Sequence, residues 1–123
     1  MVLHPNFLML FDQSQIDELK QVSPDLRCAE DGGRTYFLLK DYPLPNGCTP
    51  TSMDLLLCPN PGNGYNSLLY FSTRPTGSLP RNWNGKAHVF GRNWISFSWK
   101  SGPGHTLLHM LQLHLNALFY GKT

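Results

Sequence analysis

The stretch that decides the fold runs from Met53 to Phe71 and reads MDLLLCPNPGNGYNSLLYF. One apolar run ends in a turn rich in Pro, Gly and Asn around Tyr65, and a second apolar run follows at once. Runs of this length, separated by residues that cannot extend a strand, are typical of two antiparallel neighbours. The pattern therefore predicts strands over 51–58 and 67–72.

The residues before this stretch predict a helix and two more strands. Cap-forming residues and carboxylates open a short amphipathic helix over 12–22. Strands over 26–29 and 34–40 flank Gly32-Gly33, a pair that favours a hairpin. Residues 42–47 are expected to form a rigid loop outside the sheet, because their prolines lack an N–H donor.

The residues after this stretch contain one clear element. Residues 73–94 show little periodicity, and such a long irregular segment is usually functional or poorly ordered. Val89-Phe90 and the 94–99 segment are candidates for short extended pieces. Apolar residues recur at helical spacing from His105 to Tyr120, which predicts a closing helix. This order of elements is an α+β arrangement in a single domain over residues 1–123.

Charge is distributed unevenly along the chain, although the net charge is only +2. All acidic residues lie between Asp12 and Asp54, whereas the remainder up to Thr123 carries six cations and no acid. A basic half can steer an acidic partner. The cations form no stripe and accompany no recognition motif, so we expect no nucleic-acid partner.

Three widely spaced cysteines, Cys28, Cys48 and Cys58, predict reduced thiols in a cytoplasmic protein. No apolar run is long enough to span a bilayer, and we expect no membrane association. The apolar start of the chain has no basic segment and no cleavage site, so we interpret it as mature sequence.

The order of these motifs resembles the ubiquitin-conjugating enzyme (UBC/RWD) superfamily, in particular its divergent bacterial members. Cys58-Pro59 and Tyr65 occupy the places of the family's Phe-Pro and Tyr-Pro, with Asn66 in place of the second proline. The 91–98 segment, Gly-Arg-Asn-Trp…Phe-Ser, and the following Pro103-Gly104 are similar to signatures of the bacterial subgroup. Trp99-Lys100 replaces the subgroup's Arg-His.

This resemblance implies a UBC-like fold over nearly the whole chain. The fold would consist of an N-terminal helix, a four-stranded antiparallel meander, an irregular active-site-like segment and a C-terminal helix. The implied function is a role in a bacterial ubiquitin-like protein modification pathway, of the kind found in phage-defence operons. The implied partners are an adenylating (activating) enzyme and a ubiquitin-like protein.

The resemblance does not extend to the classical nucleophile, because no Cys lies between Gly77 and the end of the chain. If the chain is a transferase, we expect Ser98 to carry the acyl group as an oxyester, with Ser96 as the second choice. His105 would then act as the base and Asn82 would stabilise the oxyanion. The alternative for each serine is an ordinary surface hydroxyl, and for Asn82 an ordinary turn residue.

Three further expectations remain from the sequence. His105 and His109 are four residues apart and could chelate a metal, but no third ligand has a convincing spacing, so we expect no metal and no cofactor. A catalytically inactive scaffold that binds the ubiquitin-like protein is the first alternative function. A small nucleic-acid-binding domain that uses the basic half is the second alternative.

Overall fold

Six strands form one antiparallel sheet in the computed structural model, which describes residues 11–119. The sheet curls into a half-barrel, and two helices accompany it. In chain order the elements are α1 (Gln13–Val22), β1 (Arg27–Asp31), β2 (Arg34–Pro43), β3 (Ser52–Gly62), β4 (Tyr65–Phe71), β5 (Gly85–Val89), β6 (Arg92–Ser96) and α2 (Leu107–Phe119). The strand order across the sheet is β1-β2-β3-β4-β6-β5.

Three tight hairpins determine the register of the sheet. Each has a two-residue turn with positive φ at both positions: Gly32-Gly33, Asn63-Gly64 and Phe90-Gly91. Turns of this kind match the natural twist of the flanking strands. The first two turns, Gly-Gly and Asn-Gly, have sequences that are typical of such hairpins. Phe90 has a φ of 56°, which a side chain with a Cβ rarely adopts, and its hairpin is correspondingly hard to foresee.

The two faces of the sheet have different environments. The larger core lies on the face covered by the helices, where odd-numbered strand residues such as Phe37, Leu57 and Phe71 meet Ile16 and Leu111. The even-numbered residues form a smaller cluster on the opposite face: Tyr36, Leu38, Leu56, Cys58, Tyr70 and Trp94, together with Val89 of β5. Strand side chains alternate between faces, so these two clusters account for the apolar run of β3.

The predicted fold class was wrong. The chain is mostly sheet, with six strands and two helices, and it is not a UBC-like helix with a four-stranded meander. The error lies in residues 73–94, which were expected to be irregular. They contain β5 and the turn and first residues of β6, and this hairpin continues the sheet when β6 pairs with β4 through Tyr70↔Ser96 and Phe71↔Ile95.

Two predicted loops were also too long. β2 continues through Pro43, which pairs with Ser52 after a register shift, although the prolines were expected to keep this stretch out of the sheet. Pro59 likewise pairs with Ser67, so the turn between β3 and β4 contains only Asn63 and Gly64. A bulge between Pro59 and Gly62 accommodates the extra residues of β3. Sheets tolerate proline at bulges.

Both helices lie close to their predicted positions. α1 begins after Asp12 and buries Ile16 and Leu19, as the amphipathic pattern predicts. α2 begins two residues later than expected, and the predicted end at Tyr120 lies outside the described residues. Neither helix is long and apolar enough to cross a membrane, as far as residues 11–119 are concerned.

Candidate functional site

Ser98 lies two residues after the end of β6 and is half-buried. Its hydroxyl donates a hydrogen bond of 2.6 Å to the side-chain oxygen of Asn84. An amide oxygen accepts a hydrogen bond but cannot take up a proton at neutral pH, so it cannot act as a general base. The bond therefore orients the Ser98 hydroxyl without activating it.

Asn82 meets Ser98 through its backbone. Its carbonyl oxygen accepts the N–H of Ser98 at 2.9 Å and the N–H of Asn84 at 3.1 Å, and the residue itself is exposed. The structure thus brings two of the predicted site residues together. The contact fixes the 82–84 turn against the end of β6, because both bonds are to one carbonyl group.

His105, the predicted base, makes other contacts. Its Nε2 lies 3.1 Å from the carbonyl oxygen of Ser101, and its Nδ1 lies 3.0 Å from Nδ1 of His109. Both ring nitrogens therefore have partners other than Ser98. The predicted pairing of Ser98 with His105 as nucleophile and base does not appear in this geometry.

Ser96, the second candidate nucleophile, is fully enclosed. It is only 1 % exposed and faces Gly85 on the neighbouring strand. A Cβ at Gly85 would come within 1.9 Å of the Ser96 Oγ, which shows how closely the two strands pack at this pair. A hydroxyl in this position is not accessible to a macromolecular acyl donor.

A buried polar cluster next to this segment was not predicted. The Oγ of Ser67 lies 2.8 Å from Nε2 of His114 and 2.6 Å from the Oγ of Ser101. Ser67 and His114 are both completely buried, and the His114 ring packs edge-on against Trp99 and Phe97. Burial lowers the pKa of His114 to about 4, although the hydrogen bond with Ser67 raises it.

This low pKa argues against a catalytic Ser-His pair. A base with a pKa of about 4 has little tendency to hold a proton at neutral pH, so His114 is a poor proton acceptor for Ser67. The helical spacing did contain a signal for its burial. His114 follows the core residues Leu107 and Leu111 by seven and three positions, and such spacings place residues on one face of a helix.

The three cysteines are free and are poor nucleophiles. Burial raises the pKa of both Cys28 and Cys58 to about 12, with only a small opposing effect from nearby cations. Burial also raises the pKa of Cys48. The thiolate is the reactive form of cysteine, so at neutral pH these side chains remain inert thiols.

Asp54 pairs with one cation from each half of the chain. Arg92 pairs with Asp54 at 2.6 Å and stacks on the ring of Trp94, 4.2 Å from its centroid. Lys40 lies 3.6 Å from the same carboxylate. Burial alone would raise the pKa of Asp54, but the hydrogen bond from the Asp41 N–H and the two cations lower it overall.

The C-terminal end of α2 holds the segment before β5 in place. Arg81 donates from its guanidinium to the carbonyl of Ala117, and Leu79 donates its N–H to the carbonyl of Leu118. A cation at this end of a helix also interacts favourably with the helix dipole. Trp83 then packs between Phe71 and Phe97, so this segment is fixed to the core.

Comparisons with family models, curated proteins and solved structures find no match to this chain. Nothing in them identifies a UBC-like family. The resemblance therefore rests on the order of the sequence motifs alone.

Proposed function

We propose that the chain is a non-catalytic binding component of a ubiquitin-like protein modification pathway in the bacterial cytoplasm. It would hold a ubiquitin-like protein near the adenylating enzyme without accepting it covalently. The link to such a pathway comes from the sequence motifs around Tyr65 and over 91–98. The choice of binding over acyl transfer comes from the geometry at Ser98.

The bond from Ser98 to Asn84 is the observation that carries this choice. A serine hydroxyl is a weak nucleophile unless a base removes its proton. The oxygen of Asn84 occupies the position where that base would have to lie, at 2.6 Å. The candidate histidine, His105, has both ring nitrogens committed to other groups.

The free edge of β5 is a suitable surface for the partner. β5 is the last strand of the sheet, and among the described residues it pairs only with β6. In a hairpin closed by a two-residue turn, the flanking pair Val89↔Arg92 shares hydrogen bonds, so the outward backbone groups belong to Lys86 and His88. An extended C-terminal segment can add to such an edge as a seventh strand.

The decisive experiment mixes the chain with the ubiquitin-like protein, the adenylating enzyme and ATP. We expect a complex on native size-exclusion chromatography and no hydroxylamine-labile adduct on a denaturing gel. An adduct that disappears in Ser98→Ala would establish covalent carriage and refute the proposal. Absence of a complex under native conditions would refute the pathway assignment itself.

A pair of variants at Lys86 locates the surface. Lys86→Pro removes an outward N–H, whereas Lys86→Ala keeps it, and proline is tolerated at the edge of a sheet. We expect Lys86→Pro to weaken the complex at least tenfold relative to Lys86→Ala. Circular dichroism of both variants checks that the sheet is intact, and equal affinities would exclude β5 as the binding edge.

A further inference from the structure

We propose that His105 and His109 form a binding site for a divalent transition-metal ion, with Cu²⁺ and Ni²⁺ preferred over Zn²⁺. The two imidazoles approach each other just before and within the first turn of α2, with their Nδ1 atoms 3.0 Å apart. The ring of His109 is exposed and that of His105 is half-buried, so an ion can reach both.

The hydrogen bond between His105 and Ser101 determines which nitrogen of His105 carries the lone pair. A carbonyl oxygen only accepts hydrogen bonds, so the Nε2 of His105 must carry the hydrogen. In the neutral ring, Nδ1 then holds a lone pair that is directed towards His109. Histidines that ligate metals are typically oriented by such a bond from the other ring nitrogen to a carbonyl group.

The distances fit a shared ion better than they fit a straight hydrogen bond between the rings. With metal–nitrogen bonds of about 2.1 Å, nitrogens about 3.0 Å apart subtend roughly 90° at the ion. A straight N–H···N bond of this length would place the ring centroids about 5.3 Å apart, since each ring adds roughly its own radius. The observed separation is 4.6 Å, with the rings at 89° to each other.

The angle that the two nitrogens subtend at the ion also favours some metals over others. Tetrahedral coordination, which Zn²⁺ prefers, would separate the two nitrogens by about 3.4 Å. Square-planar or tetragonal coordination, typical of Cu²⁺ and Ni²⁺, requires angles near 90°. The general order of divalent affinities also places Cu²⁺ above Ni²⁺.

The local backbone holds the second ligand in place. The side-chain oxygen of Thr106 accepts the N–H of His109 at 3.2 Å and caps the start of α2. When the ion binds, the Nδ1 proton that His109 shares with His105 moves to the exposed Nε2 of His109, so the pair stays neutral. Within residues 11–119 no group of three His, Cys, Asp or Glu side chains converges on a metal-binding point, so water would fill the remaining positions.

Isothermal titration of the tag-free chain with Ni²⁺ tests the site directly. The Cys28→Ser background removes the partly exposed thiol as a competing ligand, and Ni²⁺ does not oxidise the remaining cysteines. We expect one ion per chain, with at least a tenfold loss of affinity in His105→Ala and in His109→Ala. His88→Ala is the matched control and should bind as the parent does.

Two further measurements distinguish the metal site from a simple hydrogen bond between rings. Cu²⁺ should bind more tightly than Ni²⁺ and Zn²⁺ more weakly, and the electron paramagnetic resonance spectrum of the Cu²⁺ form should show two nitrogen ligands. Absence of saturable Ni²⁺ binding, or binding unchanged in both histidine variants, would overturn the proposal.

Discussion

His114 and the His105–His109 pair lie within nine residues of each other but have opposite environments. His114 is fully buried between Ser67 and the rings of Phe97 and Trp99. The pair faces solvent, and its nitrogens face each other. Ser101 connects the two regions, because its hydroxyl contacts Ser67 and its carbonyl accepts from His105.

This difference shows that burial, and not residue type, decides what a histidine contributes. At His114 the ring fills core volume and remains neutral, so its contribution is to the free energy of unfolding. At the His105–His109 pair the rings are accessible to solvent, so the lone pairs remain available to a ligand. Variants in the two regions should therefore affect different measurements.

The largest expected effect is that of His114→Ala. The substitution leaves a cavity beside Trp99 and removes a hydrogen-bond partner from buried Ser67, which together should lower the free energy of unfolding by about 3 kcal/mol. Urea denaturation at pH 7.5 measures this change. The exposed control, His88→Ala, should shift it by less than about 0.5 kcal/mol. A similar small shift for His114→Ala would contradict the assigned packing role.

Acidification should produce the next largest effect. The folded pKa of His114, about 4, lies below the ordinary value of about 6.5. The unfolded chain therefore binds more protons between these values, and stability falls as the pH decreases through this range. At pH 5, which lies about 1.5 units below the ordinary pKa, the free energy of unfolding should be about 2 kcal/mol lower than at pH 7.

Comparison of variants assigns that loss to one residue. His114→Gln keeps a polar group for Ser67 but does not titrate, so its stability should change little from pH 7 to pH 5. The double variant His105→Ala, His109→Ala should retain the full pH dependence. Asp54 does not contribute in this window, because a carboxylate with a lowered pKa loses its stabilising effect only below the usual value of about 3.9. An unchanged slope in His114→Gln would refute the assignment.

The sequence predicted the parts of the fold whose signals are local. Alternation in β3, the Gly-Gly and Asn-Gly turns and the helix caps each act over a few residues, and the hairpins β1–β2 and β3–β4 are present. The β5–β6 hairpin was missed because its turn is Phe90-Gly91, with a bulky residue at positive φ. Its strands have only five residues each, and the less exposed positions of β5 begin with the small residues Gly85 and Ala87, which give a weak apolar signal.

The contacts around the candidate site could not be predicted, because contacts between distant segments leave little trace in one sequence. The contact between the Ser98 N–H and the Asn82 carbonyl spans the whole β5–β6 hairpin. The bond between Ser67 and His114 joins positions 47 residues apart. Helical spacing indicated that His114 faces the core, but not which polar group it meets there.

The smallest expected effect concerns the exposed pair without metal. His105→Ala and His109→Ala should each change the free energy of unfolding by about 0.5 kcal/mol or less, because the bond between the two rings is exposed and the bond to Ser101 is only partly buried. A ligand that binds only the folded state adds RT ln(1 + [L]/Kd), which is about 1.4 kcal/mol at a tenfold excess over Kd. Ni²⁺ at that concentration should stabilise the parent chain by this amount and each variant by about 0.4 kcal/mol or less, because their Kd is expected to be at least tenfold higher. Because His114→Ala leaves the His105–His109 pair intact, Ni²⁺ should raise the free energy of unfolding of this variant by the same amount, starting from its lower value without metal. If Ni²⁺ stabilised all four proteins equally, the ion would be bound elsewhere, and the two histidine regions would not differ in the way their burial implies.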